Sequence, residues 1–403
     1  MALGVLRADP VVRRAMVSSL IARLPLVMLP LTVVLLARES GHPYWAVGLV
    51  SGAFIASTAV MAPLIGRLVD RLGVRPVMLT ALTVETAALM VLATVPGHLG
   101  LIGLVLVVAV AGAAEPPVHA VIRALLARLV DPAARSGVYT LEASFQEMLF
   151  VIGPMFVAVG TGLVDARAVL WVIAGLLVAS ILWFLGAIRE HTAPPRSVGG
   201  PSVLRSGSLL QLTGVFLALG IMFAAIDIAT IATMEDHGLR DWAGIPLGMW
   251  AVGSLISGLL FTRYVSGDSA RQLPWLLLAM AGSSLVLATL GHGVVPLTIG
   301  LVIQGAAVAP TLGTMYSLVP RASGEERITE AFAWTSAFVL GGFSAGAAGT
   351  GVLIDAIGPP SGFVLAATMP LFAAGLAMLL RDRLVGSDVD RDPVGVGNAG
   401  HVE

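Results

Sequence analysis

The chain contains no cysteine, and none of its 23 basic residues is lysine. Without cysteine there are no disulfides, no thiolate nucleophile and no cysteine-ligated metal centre. Without lysine there is no P-loop lysine and no Schiff base, which removes most schemes in which the chain would hydrolyse a nucleotide itself. Charge of either sign is also scarce. Only 12% of the 403 residues are charged and the formal net charge is −1, whereas a soluble domain carries about 25% charged residues. No basic field is present to hold nucleic acid.

What is present is apolar: 57% of residues are hydrophobic and mean hydropathy is +0.94. That composition cannot cover a water-soluble body with polar surface, so the chain reads as an integral membrane protein. A hydrocarbon layer about 30 Å thick takes roughly 20 apolar residues in a helix. Twelve such runs are bounded by arginines, Pro-Gly turns or acidic clusters: 14–37, 44–66, 76–95, 99–123, 137–162, 168–188, 208–233, 242–262, 272–290, 297–318, 328–353 and 362–380. The first follows Arg13 and Arg14, exceeds a signal-peptide core in length and has no small-residue cleavage site after it, so it reads as retained.

Alternate connections differ sharply in charge. Nineteen arginines fall on one side and three (Arg38, Arg167, Arg240) on the other, with Arg23 inside a span. Cytoplasmic loops retain positive charge, which predicts both termini in the cytoplasm and an even number of spans. The longest polar interruption, Arg189 to Ser206, is rich in Pro, Gly and Ser, as a linker is. The expected organisation is a six-helix bundle over 1–188, a cytoplasmic linker over 189–206, a second bundle over 207–385 and a disordered polar tail over 386–403. A repeat supports the halving: Gly112, Pro117, Leu125 and Arg128 recur as Gly305, Pro310, Leu318 and Arg321, each displaced by 193.

Between the second and third runs stands Gly66-Arg67-Leu68-Val69-Asp70-Arg71-Leu72-Gly73-Val74-Arg75. With twelve spans and a central linker, this resembles the signature loop of the major facilitator superfamily, Gly-x-x-x-Asp-Arg-x-Gly followed by two basic residues, with Val74 in place of one of them. The resemblance implies an all-α fold of two six-helix bundles. It also implies a conformational latch in which Asp70 and Arg71 join the halves, Gly66 and Gly73 permit close approach and a tight turn, and Arg75 keeps the basic position. Gly153-Pro154 matches the centre of the glycine-rich pattern of the drug:proton antiporter branch, although Leu149, Val157 and Ala158 replace its other glycines. The whole pattern looks like efflux-type actinobacterial members.

Ionisable groups at membrane depth are costly and mark function by default. Arg23 needs a carboxylate or a wet cavity, because arginine does not neutralise by losing a proton. Its candidate partners are Glu142 and Glu147 in the fifth run, Glu115 in the fourth and Glu85 in the third. The fifth is favoured, since the resemblance places the third helix away from the cavity. Glu115 and His119, spaced four apart, share one face of the fourth helix and suit a proton relay, with Pro116 and Pro117 unsettling the helix between them. Glu142 and Glu147, five apart, diverge by about 140°. Asp227 is the lone carboxylate of the seventh run. Glu330 and Trp334, one turn apart, suit a cationic or aromatic ligand, and Glu330 equally suits a helix-end or arginine contact.

These readings predict a secondary active transporter exporting small lipophilic molecules in exchange for protons, in which Arg23, Glu115, His119, Glu142, Glu147, Asp227, Glu330 and Trp334 supply proton coupling and the substrate cavity. A proton-coupled importer of a small nutrient is the alternative, disfavoured by the few Asn and Gln within the spans. An enzyme or a membrane sensor would need a catalytic cluster or an extramembrane domain that no loop is long enough to form. The expected cofactors are none, with the proton gradient as energy source and no metal. The expected partners are a small molecule, protons and the bilayer, for a monomer spanning the cell membrane many times.

Overall fold

The computed structural model describes residues 9–41, 44–94, 100–191, 203–239, 242–264, 269–290 and 293–389. Twelve helices there are long and apolar enough to cross a membrane, and no strand occurs among the described residues. Span 1 is Pro10–Glu39, span 2 Tyr44–Leu72 and span 3 Val74–Thr94. Span 4 is built from two helices, Gly100–Ala113 and Val118–Leu129. Span 5 is Pro132–Leu163, span 6 Ala166–Ile188, span 7 Gly207–Asp236, span 8 Gly244–Tyr264 and span 9 Ser269–Leu290. Span 10 is again double, Val294–Gly305 and Val308–Ser323, and spans 11 and 12 are Ile328–Ile357 and Pro360–Val389. Most of the expected linker and residues 390–403 lie outside the described residues. Span 12 itself runs past the expected tail boundary at 386.

Local chemistry sets the helix ends. Asp9 and Asp165 accept from Val11 N and Ala168 N, each at 2.8 Å, the arrangement of an N-cap. Gly73, with φ of 92°, is the whole connection between spans 2 and 3; an L side chain there would be strained. The outer surface is apolar, with Ile102, Leu163 and Trp275 at least 70% exposed, as lipid contact requires.

Packing follows one pattern twice. Span 1 lies on spans 5 and 6 as span 7 lies on spans 11 and 12, span 2 packs on span 4 as span 8 on span 10, and span 3 packs on span 6 as span 9 on span 12. The repeat extends to detail. A Cβ on Gly112 would sit 2.5 Å from the Phe54 carbonyl, and one on Gly305 would strike the Trp250 carbonyl. Each glycine therefore lets span 2 or span 8 press its backbone against the break in span 4 or span 10. The halves meet where span 2 reaches span 11 and span 8 reaches span 5, with the second helix of span 4 on span 11 and that of span 10 on span 5. Beyond Trp334, span 11 is buried mainly along the row Gly342, Gly346 and Thr350, which faces span 7, and its small residues Gly341, Ser344 and Gly349 are exposed.

Candidate functional site

The contacts that join the halves gather in the third of the molecule nearest the arginine-rich helix ends. Asp70, at the end of span 2, accepts from Glu330 N at 2.8 Å and Thr329 N at 3.4 Å. These are free N–H groups of the first turn of span 11, where a carboxylate is also favoured by the helix dipole. Asp70 thus caps a helix of the opposite half. Gly66 makes this possible, because a Cβ there would lie 2.8 Å from Ala333 Cβ and 3.0 Å from the Thr329 carbonyl. Arg71 and Arg75 are exposed at the turn.

Glu330 takes part in this closure. It is 2% exposed, pairs with Arg327 at 3.2 Å and accepts from Val203 N at 3.4 Å. Its N–H reaches Asp70 across the seam while its side chain meets Arg327 and Val203, which is the helix-end and arginine contact that was one of its two expected roles. Trp334, one turn on, is only partly buried and packs its ring on Phe338 at 6.0 Å.

Behind the latch lies an aromatic plug. Tyr139 of span 5 meets Tyr316 and Phe332 at 6.3 and 5.9 Å between centroids, and Phe216 stacks on Tyr316 at 5.3 Å. The guanidinium of Arg123 rests 3.6 Å above the Tyr316 ring, while Tyr139 donates to the Arg123 carbonyl at 2.7 Å. Arg123 and Tyr316 are themselves 193 residues apart. The repeat therefore places equivalent positions of the two halves face to face, and the sequence offset alone could have nominated them. Gly258, which follows Gly66 by 192, plays the matching part for span 8: a Cβ on it would collide with Ser144 of span 5.

Above the plug, Arg23 finds the expected partner. Its Nη1 donates to Glu142 Oε1 at 2.5 Å, and Arg123 Nε donates to the other oxygen of Glu142 at 3.1 Å. Gln146, one turn along span 5, accepts from Arg123 at 2.7 Å and from Arg23 at 3.3 Å. Ser19 accepts from Arg23 Nε through its carbonyl and from Nη2 through its hydroxyl. Two guanidiniums share one carboxylate, all three essentially inaccessible, so the cluster carries a net charge of +1. His119 lies 3.3 Å from Arg23 Nη1 through Nδ1. Arginine only donates, so in this contact Nδ1 is the accepting side.

Glu115 and His119 do not form one site. The helix is interrupted at Ala114–Pro117, where Pro116 and Pro117 supply no N–H, and four-residue spacing no longer sets a common face. Glu115 turns to span 2, accepting from Thr58 at 3.2 Å, while His119 turns to span 1. Glu147 lies outside the cluster that Glu142 forms with the two arginines, as its five-residue spacing predicts, and Asp227 stands in span 7 of the other half. Both are partly exposed. Asp227 takes no hydrogen bond from Thr230 or Thr233; the Thr233 hydroxyl donates to Ala229. Gly153 serves packing, since a Cβ there would lie 2.6 Å from Val27 of span 1, and Pro154 sits within the helix. Among the described residues no cluster of three or more His, Asp and Glu side chains could hold a metal ion.

Twelve spans in two like halves, latched at one end with ionisable groups between them, define a two-bundle membrane carrier. The chain belongs to the Major Facilitator Superfamily, whose family model matches residues 15–296. A search of curated proteins found no match to the sequence. Among solved structures, the human organic anion transporter MFSD10 (TETRAN) superposes with a TM-score of 0.67 at 19% identity, covering 93% of this chain and 98% of that one. A bacterial homologue of the iron transporter ferroportin, in its outward-facing state, gives 0.72 at 14% identity over 93% and 99%. The E. coli fucose:proton symporter FucP gives 0.66 at 12% identity over 93% and 98%. At these identities the likeness is one of fold. The chain is thus a multi-pass membrane protein of a transporter family whose members move small molecules.

Proposed function

We propose that the chain is a proton-coupled exporter of small lipophilic molecules, working by alternating access as a monomer in the cell membrane with its arginine-rich end in the cytoplasm. The observation that carries this reading is that each half offers a partly exposed carboxylate within a span, Glu147 in span 5 and Asp227 in span 7. A carboxylate at membrane depth is stabilised by a bound proton or by a cationic substrate. Either ligand neutralises the same charge, so the two compete, and competition for one site is what exchange requires. Phe338 and Trp334 of span 11, packed ring on ring and partly buried, add aromatic surface, and the shortage of amide side chains in the spans suits an apolar solute.

In the cycle proposed, the arginine-rich end is closed by Asp70 on span 11 and by Arg123 on Tyr316, and protons reach the carboxylates from the far side. Opening of the latch then exposes the site to cytoplasmic substrate, which displaces the protons. The resemblance to FucP keeps proton-driven uptake as the alternative, and one assay separates the two. Efflux of lipophilic cationic dyes from cells or vesicles is followed with an imposed proton gradient and with the gradient collapsed, for wild type, Asp227→Asn and Glu147→Gln. Gradient-dependent export lost in either variant supports the reading. Absence of gradient-driven movement of any dye sinks it and directs the search to narrow substrates and uptake.

A further inference from the structure

Trp250 of span 8 is held in place by a buried amide. Its indole N–H donates to the side-chain carbonyl of Gln304 in span 10. Gln304 has no accessible surface, and its amide nitrogen faces Met222 Sδ at 3.6 Å and Ser284 Oγ at 3.5 Å. The break in span 10 completes the seat, since a Cβ on Gly305 would lie 2.8 Å from Trp250 Cδ1. The outer row of span 8 is Ile245, Met249, Val252, Ile256 and Leu260, each at least 38% exposed, and Trp250 stands about 100° around the helix from Met249. Its ring turns inward instead, meeting Phe223 of span 7 edge-on at 5.7 Å, and both rings are partly exposed.

Phe223 belongs to the stripe of span 7 that faces the seam. Phe216, Phe223 and Asp227, at i, i+7 and i+11 of one continuous helix, lie within about 40° of one another. At its inner end this stripe joins the plug, where Phe216 stacks on Tyr316 and Tyr316 meets Tyr139 of the first half. By helical rise, Phe223 stands about 10 Å beyond Phe216 and Asp227 about 16 Å beyond it. Phe223 and Asp227 are neighbours one turn apart, both partly exposed. The first half has no such wall: 193 residues earlier stand Pro30, Ser57 and Ala111 in place of Phe223, Trp250 and Gln304. The arrangement is therefore not part of the repeated scaffold. An aromatic face attracts a cation, a tryptophan most strongly, and packs on a second ring, while a carboxylate supplies the counter-charge.

We propose that Phe223, Trp250 and Asp227 form a subsite for a monovalent organic cation that carries aromatic rings, with Gln304 as a positioning residue that fixes the Trp250 indole. The subsite names a substrate class for the exporter proposed above and rests on that reading for its use, but it is tested by binding alone. The full chain in lipid nanodiscs, at one pH and with no gradient, is titrated calorimetrically with tetraphenylphosphonium and with tetrabutylphosphonium, which share a charge and differ in rings. Wild type should prefer the phenyl probe. Trp250→Leu should bind that probe about 2–30-fold more weakly, the worth of a cation–π contact, and leave the butyl probe unaffected, whereas Asp227→Asn should weaken both alike. Gln304→Leu should reduce only the preference for rings, and should have no further effect once Trp250→Phe has removed the N–H. Equal affinity of wild type for the two probes, binding of neither, or an unchanged preference in Trp250→Leu overturns the proposal. Should Trp250→Leu fail to fold, Phe223→Leu decides by the same criterion. A preference for rings in a chain that shows no gradient-driven export upholds the subsite and refutes the transport reading alone.

Discussion

Replacing Glu142 by alanine removes the single anion shared by two guanidiniums, at 2.5 and 3.1 Å, in a place water does not reach. Gln146 still bridges Arg23 and Arg123 through its carbonyl, but a dipole does not cancel two like charges. Breaking a buried pair by deleting one partner costs about 3–5 kcal/mol, and here two cations are orphaned by one deletion, so Glu142→Ala should fall at the upper end of that range. Arg23→Met is the contrasting change, since it leaves Arg123 and Glu142 as a neutral pair and removes the surplus positive charge. It should cost clearly less. The double variant Arg23→Met/Glu142→Ala should then be more stable than Glu142→Ala alone. Unfolding in mixed lipid and SDS micelles, followed by tryptophan fluorescence, measures all three. A loss below about 1 kcal/mol in Glu142→Ala, the value of an exposed pair, would refute the reasoning, as would a double variant less stable than the single one.

Other consequences concern the seam, and the absence of cysteine from the native chain makes thiol labelling direct. With a reporter cysteine at the buried Thr140, which faces Gly313 across the seam, Asp70→Ala should speed labelling about 5–30-fold, because the loss of a helix cap is worth about 1–2 kcal/mol; an unchanged rate would mean that Asp70 does not hold the halves together. Gly258→Leu collides with Ser144 and should leave the reporter labelled at the rate of an open conformation in every condition; protection equal to wild type would contradict that. Tyr316→Ala should open the same reporter by an amount matching a cation–π contact of about 0.5–2 kcal/mol, while Tyr316→Phe keeps the ring face and should behave as wild type.

The spans were legible because a lipid solvent imposes length and composition directly. Their ends were less so: span 1 was expected over 14–37 and runs Pro10–Glu39, since a helix continues into water without needing apolar residues. The Asp70 latch was legible because its loop has a fixed spacing and a fixed place. Glu142 as partner of Arg23 followed from which span had to be near. Glu115 and His119 were misread as one face because Pro116 and Pro117 do more than unsettle the helix; they divide it. The sequence left Glu330 between two roles because its surroundings in span 11 are set by Asp70, Arg327 and Val203, none of which is near it in the helical pattern except Arg327. Glu85 was set aside as a partner of Arg23 because the resemblance puts the third helix away from the cavity, and Arg23 does pair with Glu142 instead; that Glu85 would be wholly buried was not legible in a helix apolar nearly all round.

The exposed small residues beyond Trp334 in span 11 have counterparts elsewhere. Gly48 and Gly52 of span 2, Gly244 and Gly248 of span 8, and Gly341 and Gly349 of span 11 have no atom within 4 Å of the place a Cβ would take, whereas Gly66 and Gly258 at the other end are pressed against the opposite half. In this conformation an alanine at any of the first six meets no obstacle. If the two ends of the seam exchange roles during the cycle, those six vacant places become the contact surface. A screen for thermal stability would then rate them as freely replaceable, and a screen for turnover would find them among the least tolerant positions in the chain.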